Sequence, residues 1–294
     1  MNNAPLIELD GVTRRFGSTT AVDDLTLAAD RGVIGLLGPN GAGKSTLLRM
    51  LATVLDPSAG RLRLLGHDPT DRHGRLAVRR RLGYLPQQPG LYPGFTGFEL
   101  VDYVAVLKEW TDRRRRHDEV RRVLEAVDLT SDMHRRLRAM SVGTQRRVAI
   151  AAALIGSPDL LVLDEPSAGL DPERRLRLRS TLAEAGRHGC VVLSTHLTDE
   201  AAALCSRVVV VHAGQVRYDG EPSRLADAAA GRVWIDSEPG SGALHSWTTS
   251  TGSVRNLGTP PPGAELVEPT LDEGYLWLTR VRGTERSTVG GMRR

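Results

Sequence analysis

Nine consecutive residues constrain the rest of the chain: Gly38, Pro39, Asn40, Gly41, Ala42, Gly43, Lys44, Ser45 and Thr46. They fit G-x-x-x-x-G-K-[ST], in which a glycine-rich turn bends until successive backbone N–H groups point at one anion. Val33 to Leu37 before them is a short apolar run, as a buried strand is. Leu47 to Ala52 after them has helical character. Strand, loop and helix in that order suit phosphate, because the helix aims the positive end of its dipole at the same anion. Lys44 adds a mobile charge at the β- and γ-phosphates, and the Ser45 hydroxyl is placed to hold Mg2+. Lysine is otherwise scarce here, Lys108 being the only other one.

The 294 residues suffice for one large domain or two smaller ones, and an apolar content of 40% supports a core. The net charge of +4 is mild and does not by itself indicate nucleic acid. Met1 to Pro5 lacks the basic and apolar regions of a secretory signal. No apolar run nears the roughly 18 residues of a spanning helix. A cytosolic chain is expected, with any membrane role needing a separate partner. Cys190 and Cys205 read as small buried hydrophobes, and the spacing around His188 and Cys190 fits no zinc pattern.

Leu6 to Val12, Leu25 to Ala28, Arg61 to Gly66 and Gly83 to Gln87 read as strands. Phe16 falls in a turn-like setting upstream of the loop, either as ordinary core or as a platform for an adenine ring. Pro89 to Gly97 is rich in proline and glycine. Its aromatics, Tyr92, Phe95 and the adjoining Phe98, are either packed under something or docked on a partner. Helical spacing follows over Glu99 to Lys108 and Arg114 to Val127. Val120, Val123, Leu124 and Val127 form an apolar stripe there, and Arg113 to Arg116 are expected to face water. The block from about residue 88 to 158 thus interrupts an α/β pattern with helices.

Leu160 to Leu163 is an apolar run ending in Asp164 and Glu165. Such a strand delivers two carboxylates at its C-terminal end, where open α/β sheets hold ligands. Asp164 is expected to face Mg2+ and Glu165 to polarise an attacking water. Cys190 to Leu193 repeats the design and ends in Ser194, Thr195 and His196, the last placed to donate to a γ-phosphate. Arg207 to His212 and Gln215 to Tyr218, parted by Ala213 and Gly214, read as a terminal hairpin. Beyond Gly220 the composition shifts toward Gly, Ser, Thr and Pro. Arg232 to Ile235 is a strand candidate and Leu271 to Val281 a last helix or strand. A weakly cored accessory region is expected, with a disordered tail after Arg282.

In this order the pieces resemble the ATP-binding subunit of an ABC transporter over roughly residues 4 to 222. Within that resemblance Gly38 to Thr46 is the Walker A loop, Gln87 the Q-loop glutamine, and Asp164-Glu165 the end of the Walker B strand. Ser167 to Pro172, including Asp171, resembles the D-loop. His196 stands as the switch histidine and Phe16 where adenine stacks. Ser141 to Val148 lines up with the signature stretch in altered form, Val142 replacing a glycine and Thr144 the usual glutamine. Ser141 suits an N-cap, and the helix it opens offers N–H groups to a phosphate. Valine resists positive φ, so Val142 is expected to be already helical.

The resemblance implies an α/β fold: a P-loop NTPase core with an antiparallel β subdomain, an inserted helical subdomain and a small C-terminal accessory region. Residues 1–220 would form the nucleotide-binding domain and 221–294 the accessory region. It implies ATP and Mg2+ as cofactors. Glu165, His196 and Gln87 would be catalytic. Phe16, the nine loop residues, Ser141, Gly143 and Asp171 would bind nucleotide, and Ser45, Gln87 and Asp164 the metal. Two such domains associate head to tail around two ATP, with Ser141 and Gly143 of one capping the γ-phosphate held by the other. A separate membrane permease, met by the aromatic loop Leu91 to Phe98, would hold the chain peripherally at the cytoplasmic face of the cell membrane. The short C-terminal region favours drug, antibiotic or lipid export, with no nucleic-acid partner. The alternative is a soluble ABC ATPase acting on ribosomes or DNA. Those usually carry two cassettes or a long coiled coil, and this chain has one cassette and no sustained heptads. A P-loop kinase does not account for the signature-like stretch or the D-loop.

Overall fold

A computed structural model describes residues 4–280; Val281 and the tail after Arg282 lie outside the described residues. The chain opens with β1 (Ile7–Phe16), β2 (Thr19–Ala29), β3 (Gly32–Leu37), α1 (Lys44–Leu51), β4 (Ala59–Leu64), α2 (Arg72–Arg80) and β5 (Leu82–Leu85). A helical stretch follows: α3 (Gly97–Leu107), α4 (Arg113–Ala126) and α5 (Val142–Leu154). Then come β6 (Leu160–Asp164), α6 (Pro172–His188), β7 (Cys190–Ser194), α7 (Thr198–Leu204), β8 (Arg207–His212) and β9 (Gln215–Gly220). The last segment holds β10 (Val233–Asp236), β11 (Ala243–Thr248), β12 (Val254–Gly258), β13 (Glu265–Leu266) and α8 (Leu271–Arg280).

The central sheet runs β5-β6-β7-β3-β8-β9, parallel except for β9, which returns antiparallel on β8. Its inner strands are nearly all apolar because both faces are covered. Alternation divides them between two cores. Val33, Leu161, Leu163, Val191, Val208 and Val210 point toward the helices α3 to α6. Ile34, Val162, Val192, Val209 and Val211 point the other way. On that second face lie α1 and an antiparallel sheet, β2-β1-β4, whose Ile7, Leu9, Leu25 and Leu62 close the layer.

Two expectations need correction. Arg116 does not face water. It is half-buried, 2.6 Å from Asp102, and donates to the Trp110 carbonyl at 3.0 Å, so the arginine run is partly an internal tie between α3 and α4. The C-terminal region is also better built than its composition suggests. It is a four-stranded antiparallel sheet, β11-β12-β10-β13, around the fully buried Trp234. Of the three loop aromatics only Tyr92 is exposed. Phe95 packs on the helical core and meets the tilted ring of Tyr92, with ring centres 5.2 Å apart, and Phe98 sits between His117 and His134.

Candidate nucleotide site

The ends of β3, β5, β6 and β7 meet at one edge of the central sheet, and the loop Gly38 to Gly43 is built onto that edge. Two of its glycines are required sterically. A Cβ on Gly38 would lie 2.2 Å from the Val211 carbonyl oxygen. One on Gly43 would lie 2.2 Å from that of Ala21, and Gly43 also has φ of 105°. The turn after β8 buttresses the loop: Gly214 N–H donates to the Ala42 carbonyl at 2.9 Å. Lys44 is buried and donates to the carbonyls of Gly38 at 2.5 Å and Pro39 at 3.0 Å. Burial pushes its ammonium below the ordinary lysine range, while Glu165 and Asp164 push it back up.

Beside the loop is an open cleft of about 480 Å³ lined by Phe16, residues from Asn40 to Thr46, Gln87, Asp164 and Glu165. Phe16 is no core residue. It ends β1 at 47% exposure, on the cleft rim, with the Arg14 guanidinium 4.7 Å from its ring centre.

The two carboxylates are held differently. Asp164, buried, accepts from Ser194 Oγ at 2.6 Å, and the same hydroxyl accepts from Glu165 N–H at 2.9 Å. Glu165 has φ of 50°, a left-handed backbone that a non-glycine residue adopts only when its surroundings enforce it. Arg146 of α5 enforces it. Its guanidinium donates to the carbonyls of Asp164 and Glu165 at 2.6 Å each and to that of Gln87 at 2.5 Å. Burial lowers the Arg146 pKa, and the nearby Asp164 and Glu165 charges oppose this. His196 Nδ1 stands 3.8 Å from Glu165 Oε1 and is 62% exposed on its side chain.

Ser141, Gly143 and Asp171 are elsewhere. Ser141 caps α5, accepting from Thr144 N–H at 3.2 Å and pairing with the Thr144 hydroxyl at 2.9 Å. Thr144 is therefore a buried partner of the cap. Val142 is the first residue of α5, has no positive φ, and is 81% exposed. Gly143 faces the Gly169 carbonyl, 3.0 Å from where a Cβ would lie. Asp171 caps α6, accepting from Arg174 N–H at 2.9 Å. One chain thus holds the cleft beside the glycine-rich loop and, outside its lining, the capped N-terminus of α5.

Arg146 and Ser194 escaped sequence reasoning. An arginine in a helix that continues Val148 to Leu154 without a charge was the available signal for the first; a serine at a strand end offers none for the second.

The fold and cleft define a P-loop nucleotide-binding domain. Residues 22–168 match the ABC transporter family. The daunorubicin resistance ATP-binding protein DrrA3 of Streptomyces coeruleorubidus is 33% identical across 93% of this chain and 95% of its own length. The probable multidrug ABC transporter ATP-binding protein YbhF of Escherichia coli is 37% identical across 99% of this chain. The chain spans about half of that relative, covering 55% of it. Among solved structures, the dimeric post-hydrolysis state of the ATP-binding cassette MJ0796, bound to ADP and Pi, superposes with a TM-score of 0.68 at 24% identity, covering 74% of this chain and 98% of that one. The chain belongs to the ABC transporter ATP-binding proteins.

Proposed function

We propose that this chain binds and hydrolyses ATP to energise a separate membrane permease that exports a drug, antibiotic or lipid. Residues 1–220 serve as the nucleotide-binding domain, with a helical subdomain at about 88–158, and residues 221–294 as an accessory region. The observation that carries the proposal is the split of one chain into a phosphate cleft and a detached signature face. Each is half of a site, and a second copy placed head to tail completes both.

Phe16 stacks the adenine. Backbone N–H groups from Gly38 to Thr46 and the Lys44 ammonium take the phosphates, Lys44 turning from the Gly38 and Pro39 carbonyls it now meets. Ser45 and Asp164 line the cleft with hard oxygen donors, and the Ser194 bond leaves one Asp164 oxygen free, so the residues present suit Mg2+; Gln87 adds a third oxygen. When bound, the ion neutralises charge that develops on the phosphates. Glu165 orients water and accepts its proton, while His196 donates to the γ-phosphate. Ser141 and Gly143 of the second copy cap that phosphate, and Asp171 lies at the D-loop end beside them. Loss of the bridging phosphate then separates the copies.

Export is favoured by the names of the relatives, one a daunorubicin resistance protein and one a probable multidrug transporter component. Among the described residues no helix is long and apolar enough to cross a membrane. In this reading the permease holds the chain at the cytoplasmic face of the membrane, with exposed Tyr92 and Tyr103 as contacts. Affinity capture of the tagged full chain from detergent-solubilised native membranes is expected to recover a multi-spanning protein that stimulates its ATPase activity. Recovery of ribosomes or DNA instead would favour the non-transport alternative.

A further inference from the structure

The C-terminal region is joined to the ATPase core through α8, and α8 reaches the segment that carries His196. Leu271, Tyr275 and Leu278, spaced along one helix face, pack on the core cluster under the helical subdomain. Leu276 and Trp277 pack on Ala229, Val233 and Leu257 of the accessory sheet. The seat is tight, because a Cβ on Gly274 would lie 2.0 Å from the Leu225 carbonyl oxygen. The first turn is locked as well. Thr270 and Glu273 cap each other, and Glu273, 1% exposed, takes hydrogen bonds from Arg255 of β12 at 2.5 and 2.9 Å.

Asp272 sits in that locked turn and accepts a hydrogen bond from the Thr198 hydroxyl. Thr198 is buried and lies two residues after His196. On the other side of His196, the buried Thr195 hydroxyl donates to Glu200 at 2.6 Å and accepts from Leu197 N–H at 3.2 Å. The exposed histidine is thus carried on a segment pinned at both ends, once from within α7 and once from α8. His196 and Asp272 border one cleft of about 290 Å³, shared with Arg175 and Arg179.

We propose that Asp272 is a positioning residue for His196: the accessory region, through α8, sets how the histidine approaches Glu165 and the γ-phosphate, and so governs turnover. The inference rests on the role given to His196 above. Because Asp272 itself is exposed and touches no part of the nucleotide cleft, its removal leaves nucleotide affinity intact.

The test is a mutant cycle in the purified full chain, reading steady-state ATP hydrolysis and the Kd of a fluorescent ATP analogue. Asp272→Ala is expected to lower kcat roughly tenfold, the worth of one charge-assisted hydrogen bond, with Kd unchanged. Asp272→Asn, which keeps an acceptor for Thr198, is expected to recover most of the loss. In a His196→Ala background, Asp272→Ala should cost nothing further. An unchanged kcat for Asp272→Ala, or a loss that adds in full to that of His196→Ala, overturns the inference and leaves the nucleotide site untouched. Full turnover by His196→Ala alone would refute the role of His196 instead, and is seen before Asp272 is altered.

Discussion

The Arg146 guanidinium donates at 2.6 Å to the carbonyl oxygen of Glu165, the residue with a left-handed backbone at the end of β6. The same group reaches the carbonyls of Asp164 and Gln87, so one side chain from the signature helix ties two motifs of the cleft together. Arg146→Met would leave three carbonyls without this donor. It is expected to destabilise the chain by about 3 kcal/mol and to lower turnover at least about tenfold, because the Glu165 backbone is no longer held. Urea unfolding and ATPase rates measured together check this; full activity in a folded Arg146→Met chain would contradict it.

Ser194 is fully buried and its hydroxyl serves Asp164 and Glu165 at once. Ser194→Ala frees the Asp164 carboxylate to rotate. The Mg2+ concentration for half-maximal turnover is expected to rise about tenfold, as it does when the support of a metal ligand is removed. A Mg2+ titration of ATPase activity at saturating ATP reads it, and an unshifted midpoint would separate Asp164 from the metal.

What could be read in advance was what is local. The phosphate loop is a run of nine residues, and the glycines at positions 38 and 43 answer to contacts that no side chain could make. The apolar strands that lead to Asp164 and, two residues past the end of β7, to His196 announced themselves by composition. Strand order did not. β3 pairs with β7 and β8 from far along the chain, and such pairing leaves no periodic trace. The role of Arg146 was marked only by its place ahead of the uncharged turns of α5; the three carbonyls it meets lie far along the chain or across the sheet and leave no local trace. For Leu271 to Val281 a local signal did exist: Thr270 and Glu273 stand in capping-box spacing, which favours the helix.

Lys108 predicts a pH dependence. Its ammonium donates to the Ile155 carbonyl at 2.8 Å, and burial pushes its pKa down from 10.5 to about 8, with Glu119 opposing. Between those two values the unfolded chain binds more protons than the folded one, so the contribution of Lys108 to stability rises with pH there. Below about 8 both states are charged and the folded chain bears the whole cost of burial. Lys108→Met removes that cost. Its stability relative to the parent is expected to be highest near pH 7 and to decline toward pH 10, by at most about 3 kcal/mol. Urea unfolding of both chains across that range checks it; a pH-independent difference would show that Lys108 titrates normally in the fold.

The head-to-tail pairing is tested most directly by the mass of the Glu165→Gln chain. This variant keeps the phosphate loop and removes the group proposed to activate water, so a bound triphosphate is expected to persist. Sedimentation of the purified full chain is expected to show 31.9 kDa monomers without nucleotide and doubled mass with ATP and Mg2+. Lys44→Ala added to the same chain should abolish the doubling. Monomers that persist with saturating ATP, or Glu165→Gln turnover at the parent rate, would contradict the account.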